Sequence, residues 1–175
     1  MTNSSPEQNT TQRTGKAMLY IAWIIGLGLL TLFFADLEEA QINPNRTVNS
    51  SLTDGRVEVV LQQNRWGHYV ANGKINGDEV TFLLDTGATV VSVPYHLKDK
   101  LNLSKGRPYT TITANGNVTV YGTTISELRL GDLVFNNVRA ALNPGMKDDE
   151  ILLGMSVLAD LELTQRGEQM IIRSY

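Results

Sequence analysis

Thr81-Phe82-Leu83-Leu84-Asp85-Thr86-Gly87-Ala88-Thr89-Val90-Val91 is the stretch on which the reading of this chain turns. An apolar run meets Asp-Thr-Gly-Ala and then resumes as an apolar run. Phe, Leu and Val suit strands, and the interruption suits a tight loop between two of them. A carboxylate at the end of a buried strand faces a desolvation cost. It must accept hydrogen bonds, share a proton or titrate above its ordinary range. Thr86 offers a hydroxyl that can tie down the loop, and Gly87 lets the backbone come close to the carboxylate. Asp, Thr and Gly are also ordinary turn residues, so those three alone would mark only a strand end. The longer pattern, an apolar pair followed by Asp-Thr-Gly-Ala, is far rarer by composition.

Working outward, the chain around this loop reads as β structure. Runs rich in Val, Ile, Thr and Leu fall at 57–61, 69–75, 80–84, 90–93, 110–114, 118–125, 127–130, 138–141, 151–153 and 169–173. Asn76-Gly77 between two of them predicts a type I′ hairpin turn, since both central residues need positive φ. Gly131-Asp132 marks another turn. Short helices are expected only near 94–100 and 156–159. Many short strands with tight turns suit a closed barrel or a sandwich.

The N-terminal part is different. Residues 1–16 are polar and cannot bury enough surface to offset their ordering entropy, so a disordered tail is expected. Residues 17–35, AMLYIAWIIGLGLLTLFFA, carry no charge. As a helix rising 1.5 Å per residue they come close to the roughly 30 Å core of a bilayer. Arg13 and Lys16 precede the run, and Asp36, Glu38 and Glu39 follow it. Positive flanks stay inside, so a single-pass anchor in the inner (cytoplasmic) membrane is expected, with the N-terminus inside and the bulk of the chain periplasmic or otherwise outside. The run exceeds the roughly 7–15 residues of a cleaved signal's apolar region. Cuts after Ala35 or Ala40 would also place Phe33 or Glu38 where a small residue is wanted, so an uncleaved signal anchor fits. Residues 36–55, with Asn-Pro, Ser-Ser and Asp-Gly pairs, read as a linker, which leaves 56–175 as the folded domain.

Composition removes several classes of function. Basic residues number 15 and acidic ones 18 with no basic block, so nucleic acid is not an expected partner. Cysteine is absent, which excludes thiol catalysis and thiolate metal sites. The two histidines, His68 and His96, are not at ligand spacing, and no metal site is expected. Asp148-Asp149-Glu150 reads as a solvated loop. Asp54, Asp78 and Asp132 each adjoin a glycine, but none follows a long apolar strand.

A second stretch, Glu150-Ile151-Leu152-Leu153-Gly154-Met155-Ser156-Val157-Leu158, places apolar residues and a glycine before a short helix. With Leu83-Leu84-Asp85-Thr86-Gly87-Ala88 upstream, the chain over about 56–173 resembles the retropepsin-like aspartic proteases, and among them bacterial members with an N-terminal membrane anchor. The resemblance implies an all-β, retropepsin-like closed barrel and hydrolysis of a peptide or protein substrate. Asp85 would be catalytic, with Thr86, Gly87 and Ala88 forming the active-site loop. Only one such Asp motif is present, so the resemblance implies a homodimer that brings two Asp85 side chains together across a two-fold axis. Two close aspartates share one proton; the ionised one takes a proton from water and the other polarises the peptide carbonyl. No cofactor is required. Thr86 would bond across the axis, Gly87 would lie against substrate and Gly154 would pack beneath the loop. A substrate-covering flap is implied at Ala114, Asn115 and Gly116, where Asn-Gly sits between alternating strands. Viral members carry an Asp–Arg ion pair where this chain has Thr89 and Met155. The terminal strand, 169–173, is a candidate for pairing between subunits, and the linker is a candidate self-cleavage region. The alternative expectation is a binding or assembly module with little or no peptidase activity.

Overall fold

The structure, a computed structural model, describes residues 7–113 and 116–175. They form two units, divided after Ala40. The helix α1, Glu7–Ile42, takes in the whole uncharged run and extends beyond both of its ends. Residues 7–16 are therefore helical, not the disordered tail expected. Once the apolar turns have formed, each added residue gains a hydrogen bond without a new nucleation cost. Its most apolar 18-residue window has a mean hydropathy of 2.2, and the stretch from Gly15 to Ile42 is long and apolar enough to cross a membrane. Its large apolar side chains, from Met18 to Phe34, are exposed.

The second unit, 41–175, is mostly strand. A four-stranded sheet contains β1 (Asn49–Thr53), β2 (Arg56–Gln62), β10 (Leu161–Arg166) and β11 (Gln169–Ser174), in the order β1-β2-β11-β10. A seven-stranded sheet contains β3 (Val70–Ile75), β4 (Asp78–Leu84), β5 (Val91–Pro94), β6 (Pro108–Thr113), β7 (Gly116–Leu130), β8 (Leu133–Asn143) and β9 (Ile151–Leu153). Its order is β3-β4-β9-β5-β8-β7-β6. The expected all-β architecture is present. The sheet is not a clear barrel, however: β3 returns to β7 through only two residue pairs, Lys74 with Arg129 and Ile75 with Leu128.

Local chemistry explains the turns. Asn76 and Gly77 both adopt positive φ, 51° and 94°, as the hairpin between β3 and β4 requires. The helical segments are short: a single 3-10 turn at Tyr95–Leu97 and α2, Met155–Leu158. One core runs through the unit, with Leu61, Ile75, Phe82, Ile151, Leu153 and Ile172 all fully buried. Each such side chain contributes roughly 1.5–3 kcal/mol by leaving water.

Two expectations are corrected. Residues 36–55 are not simply a linker. Asn45, only 4% exposed, accepts a hydrogen bond from the Gln62 backbone at 2.7 Å. Its amide donates to the carbonyls of Gln62 and Val70 at 2.9 and 2.7 Å. Asn43 donates to Asn72, and β1 pairs along the edge of β2. Side-chain amides supply what the missing apolar periodicity did not signal. The terminal strand, β11, is also not free for a partner. It pairs with β10 on one side and β2 on the other, so both of its edges are filled within the chain.

Candidate active site

The two sequence stretches meet because β4 and β9 run parallel in register. Phe82 lies opposite Ile151, Leu83 opposite Leu152 and Leu84 opposite Leu153. Asp85 and Gly154 therefore leave the sheet side by side. The Asp85 N–H donates to the Leu153 carbonyl at 3.1 Å, and Leu84 N–H donates to Tyr69 O at 3.0 Å. Beyond Asp85 the chain turns tightly. Ala88 N–H donates to Asp85 O at 3.1 Å, and Gly87 N–H donates to Asp85 Oδ1 at 2.8 Å. The carboxylate is thus held by its own loop, through an amide that only a close-packed backbone can present. Asp85 is half-buried, whereas Thr86 and Gly87 are exposed. The strongly desolvated carboxylate expected from the apolar strand is met only in part, since the loop lies at the surface of a single chain.

Gly154 does lie beneath this loop. A side chain there would have its Cβ 2.6 Å from the Ala88 carbonyl oxygen and 2.7 Å from the Val90 carbonyl carbon. The contact is sealed by Met155 N–H, which donates to Ala88 O at 2.8 Å. Ser156 was not singled out from sequence, yet it ties α2 to β5 and β8. Its Oγ accepts from Val91 N–H at 3.0 Å and donates to Arg139 O at 2.9 Å. A hydroxyl just after Leu-Leu-Gly is the only signal that could have found it. Thr89 is exposed and Met155 is partly so, and no ion pair stands at these positions.

The expected flap corresponds to a hairpin of β6 and β7, paired from Pro108 with Tyr121 to Thr113 with Gly116. Ala114 and Asn115 lie outside the described residues. Gly116, with φ of 101°, opens β7. Ile112 on this arm is 85% exposed. The acidic loop meets the other histidine: His96 Nε2 and Asp149 Oδ1 are 2.7 Å apart at the exposed surface. No three His, Cys, Asp or Glu side chains among the described residues converge as a metal would need.

Residues 71–160 match the protein family described as "gag-polyprotein putative aspartyl protease". That span contains the Asp85 loop, the hairpin and Gly154. The chain belongs to the retropepsin-like aspartic protease family. The retropepsin-like fold is shared with a solved structure, a retropepsin-like aspartic protease from Rickettsia conorii. The two are 25% identical with a TM-score of 0.57, covering 73% of this chain and 96% of that one. An uncharacterised protein encoded in the cobV 5′ region of a Sinorhizobium species is 30% identical over 138 residues, which is 77% of this retropepsin-like chain and 59% of that protein. An uncharacterised protein of Rickettsia prowazekii is 25% identical over 121 residues, 67% of this chain and 52% of that one. The chain spans little more than half the length of these two relatives.

Proposed function

We propose that this chain is an aspartic endopeptidase whose catalytic dyad is formed by Asp85 from two copies, carried on a single-pass membrane anchor. The observation that carries the reading is the Asp85 loop itself. Asp85 is held by Gly87 N–H and Leu153 O, while its Oδ2 has no partner among the described residues. The Gly87 bond orients the carboxylate through Oδ1 and leaves its other oxygen available for a water or a second carboxylate.

Across a two-fold axis, two such carboxylates would share one proton, because two charges in contact cannot both be ionised cheaply. The ionised Asp85 takes a proton from a water molecule as that water attacks the peptide carbonyl carbon. The protonated Asp85 gives its proton to the carbonyl oxygen. The tetrahedral diol then collapses: the C–N bond breaks, the amine takes the proton from the first Asp85, and one diol hydroxyl returns a proton to the second, which restores the shared-proton pair. Thr86 and Gly87, exposed beside the carboxylate, line the face a second copy would cover, and the β6–β7 hairpin would close over substrate. An extended peptide binds in such a cleft through main-chain hydrogen bonds.

The exposed apolar helix and the charges at its two ends support an anchor with its N-terminus in the cytoplasm and the 41–175 unit outside the cytoplasmic membrane. A second reading, a retropepsin-like binding or assembly module, is favoured by one observation: both edges of β11 are filled within the chain, which removes strand pairing at the terminus as a source of dimer stability. The test compares the full chain with Asp85→Asn on a mixed peptide library from acid to neutral pH. Cleavage by the wild type alone, with a bell-shaped pH profile, supports the shared-proton dyad. No cleavage by either, in protein shown to be folded and dimeric, leaves the binding module.

A further inference from the structure

The loop 63–68 holds a tryptophan half in water and is fastened to Gln41 and Ile42. Asn64 is buried, and its carboxamide organises the loop. Oδ1 accepts from Trp66 N–H and His68 N–H, each at 3.0 Å. Two further bonds close the loop, Asn64 N–H to His68 O at 2.8 Å and Gly67 N–H to Asn64 O at 2.9 Å. The remaining amide, Nδ2, donates to Ile42 O at 3.1 Å. Arg65 reaches the preceding residue: its Nη1 donates to Gln41 Oε1 at 3.2 Å and its backbone N–H to Gln41 O at 3.4 Å. Its guanidinium also lies over the Trp66 ring, 4.3 Å from the ring centroid. The result is a rigid loop whose tip, Trp66, is 52% exposed.

Exposed indoles that are this well supported face a medium suited to an apolar body with a polar edge. The position of the loop along the chain says which medium. Gln41 follows the last apolar residue of the run, Ala35, by six residues, so the chain between them reaches at most about 21 Å. A bilayer of 40–45 Å with a core of about 30 Å leaves about 5–8 Å of headgroup on each side. A loop bonded to Gln41 and Ile42 is therefore tethered near the headgroups at whatever angle the chain leaves them.

We infer that Arg65 and Trp66 form a second membrane contact, with the indole at the lipid headgroup boundary and the guanidinium paired with lipid phosphate. Tryptophan is enriched at that depth, and arginine binds phosphate through its planar fork. This inference rests on the membrane reading of α1 proposed above.

The chain contains two tryptophans, Trp23 inside the apolar run and Trp66 in the loop, so each claim has its own reporter. The full chain is placed in phosphatidylcholine nanodiscs whose lipids carry bromines near the headgroup or deep in the acyl chain. In Trp66→Phe, quenching of Trp23 by deep bromines reports the anchor. In Trp23→Phe, the expected result is blue-shifted Trp66 emission, quenched more by shallow bromines than by deep ones. Unquenched Trp66 with the emission of an indole in water, alongside quenched Trp23, overturns the inference and leaves the anchor standing. Unquenched Trp23 removes the anchor and the inference with it.

Discussion

Replacing Gly154 with alanine tests whether the two motifs are packed as a unit. Gly154 has φ of −93° and ψ of −175°, an extended backbone that alanine adopts freely, so any penalty comes from space alone. The added carbon would stand 2.6 Å from Ala88 O and 2.7 Å from Val90 C, with Val90 O nearer still. All three are backbone atoms, which cannot rotate aside. Ordinary contact needs about 3.5 Å, so one loop must retreat by about 1 Å. That movement stretches the 2.8 Å bond from Met155 N–H to Ala88 O beyond useful length. Overpacking costs about 1–3 kcal/mol and the lost bond about 1, which together give about 2–4 kcal/mol. With a urea slope of about 2 kcal/mol per molar, the unfolding midpoint of the 41–175 unit should fall by about 1–2 M. The slope itself should stay the same. A midpoint within about 0.3 M of wild type would refute the packing argument.

Three further substitutions probe other supports. Asn45→Ala removes three hydrogen bonds to β2 and β3, and should destabilise the unit by about 2–4 kcal/mol. Tryptic cleavage after Arg46 should accelerate with it, and an unchanged cleavage rate would argue against a strap. Ser156→Ala strands Val91 N–H and Arg139 O, for about 1–3 kcal/mol. Faster hydrogen exchange at the Val91 amide is the site-specific reading, and unaltered exchange there would count against the role given to Oγ. Arg129, hydrogen-bonded to Glu127, holds that carboxyl below its ordinary value of 4.5. A lowered acid contributes stability at neutral pH and loses it as the pH falls through the depressed value. Glu127→Gln should therefore lower the urea midpoint slightly at neutral pH and leave it unchanged in strong acid, and a difference that persists in acid would refute the sign.

The sequence was most legible where apolar periodicity and turn chemistry agree. Asn76-Gly77, the run 151–153 and the strand before Asp85 all took the form their residues prescribe, and β9 matched its expected bounds. Two strands escaped notice for opposite reasons. β1, Asn-Ser-Ser-Leu-Thr, is an exposed edge strand with almost no buried face, so it carries little alternation to read. β10, Leu-Glu-Leu-Thr-Gln-Arg, does alternate, but its short run follows α2 after only two residues and reads as the end of a helix. The single strand β7 spans two expected ones, because Ser126 and Glu127 interrupt the apolar pattern without interrupting the ladder. At the site, Asp85 and Gly154 were legible because both belong to contiguous motifs. Ser156, Asn45 and Asn64 were not. Each works by a side chain reaching backbone distant in sequence, and nothing in a neighbouring residue announces such a bond.

The closure of β11 between β2 and β10 bears on how the chain is made. Glu58 and Arg173, 115 positions apart, meet at 2.6 Å. The sheet therefore stays unfinished until residues 169–174 have left the ribosome, and its ladder is then complete within one chain. The 41–175 unit should accordingly stay folded when diluted below the concentration at which copies pair, unlike a protein whose subunits fold only together. Any pairing of copies is then a later and reversible step, set by the local concentration of chains.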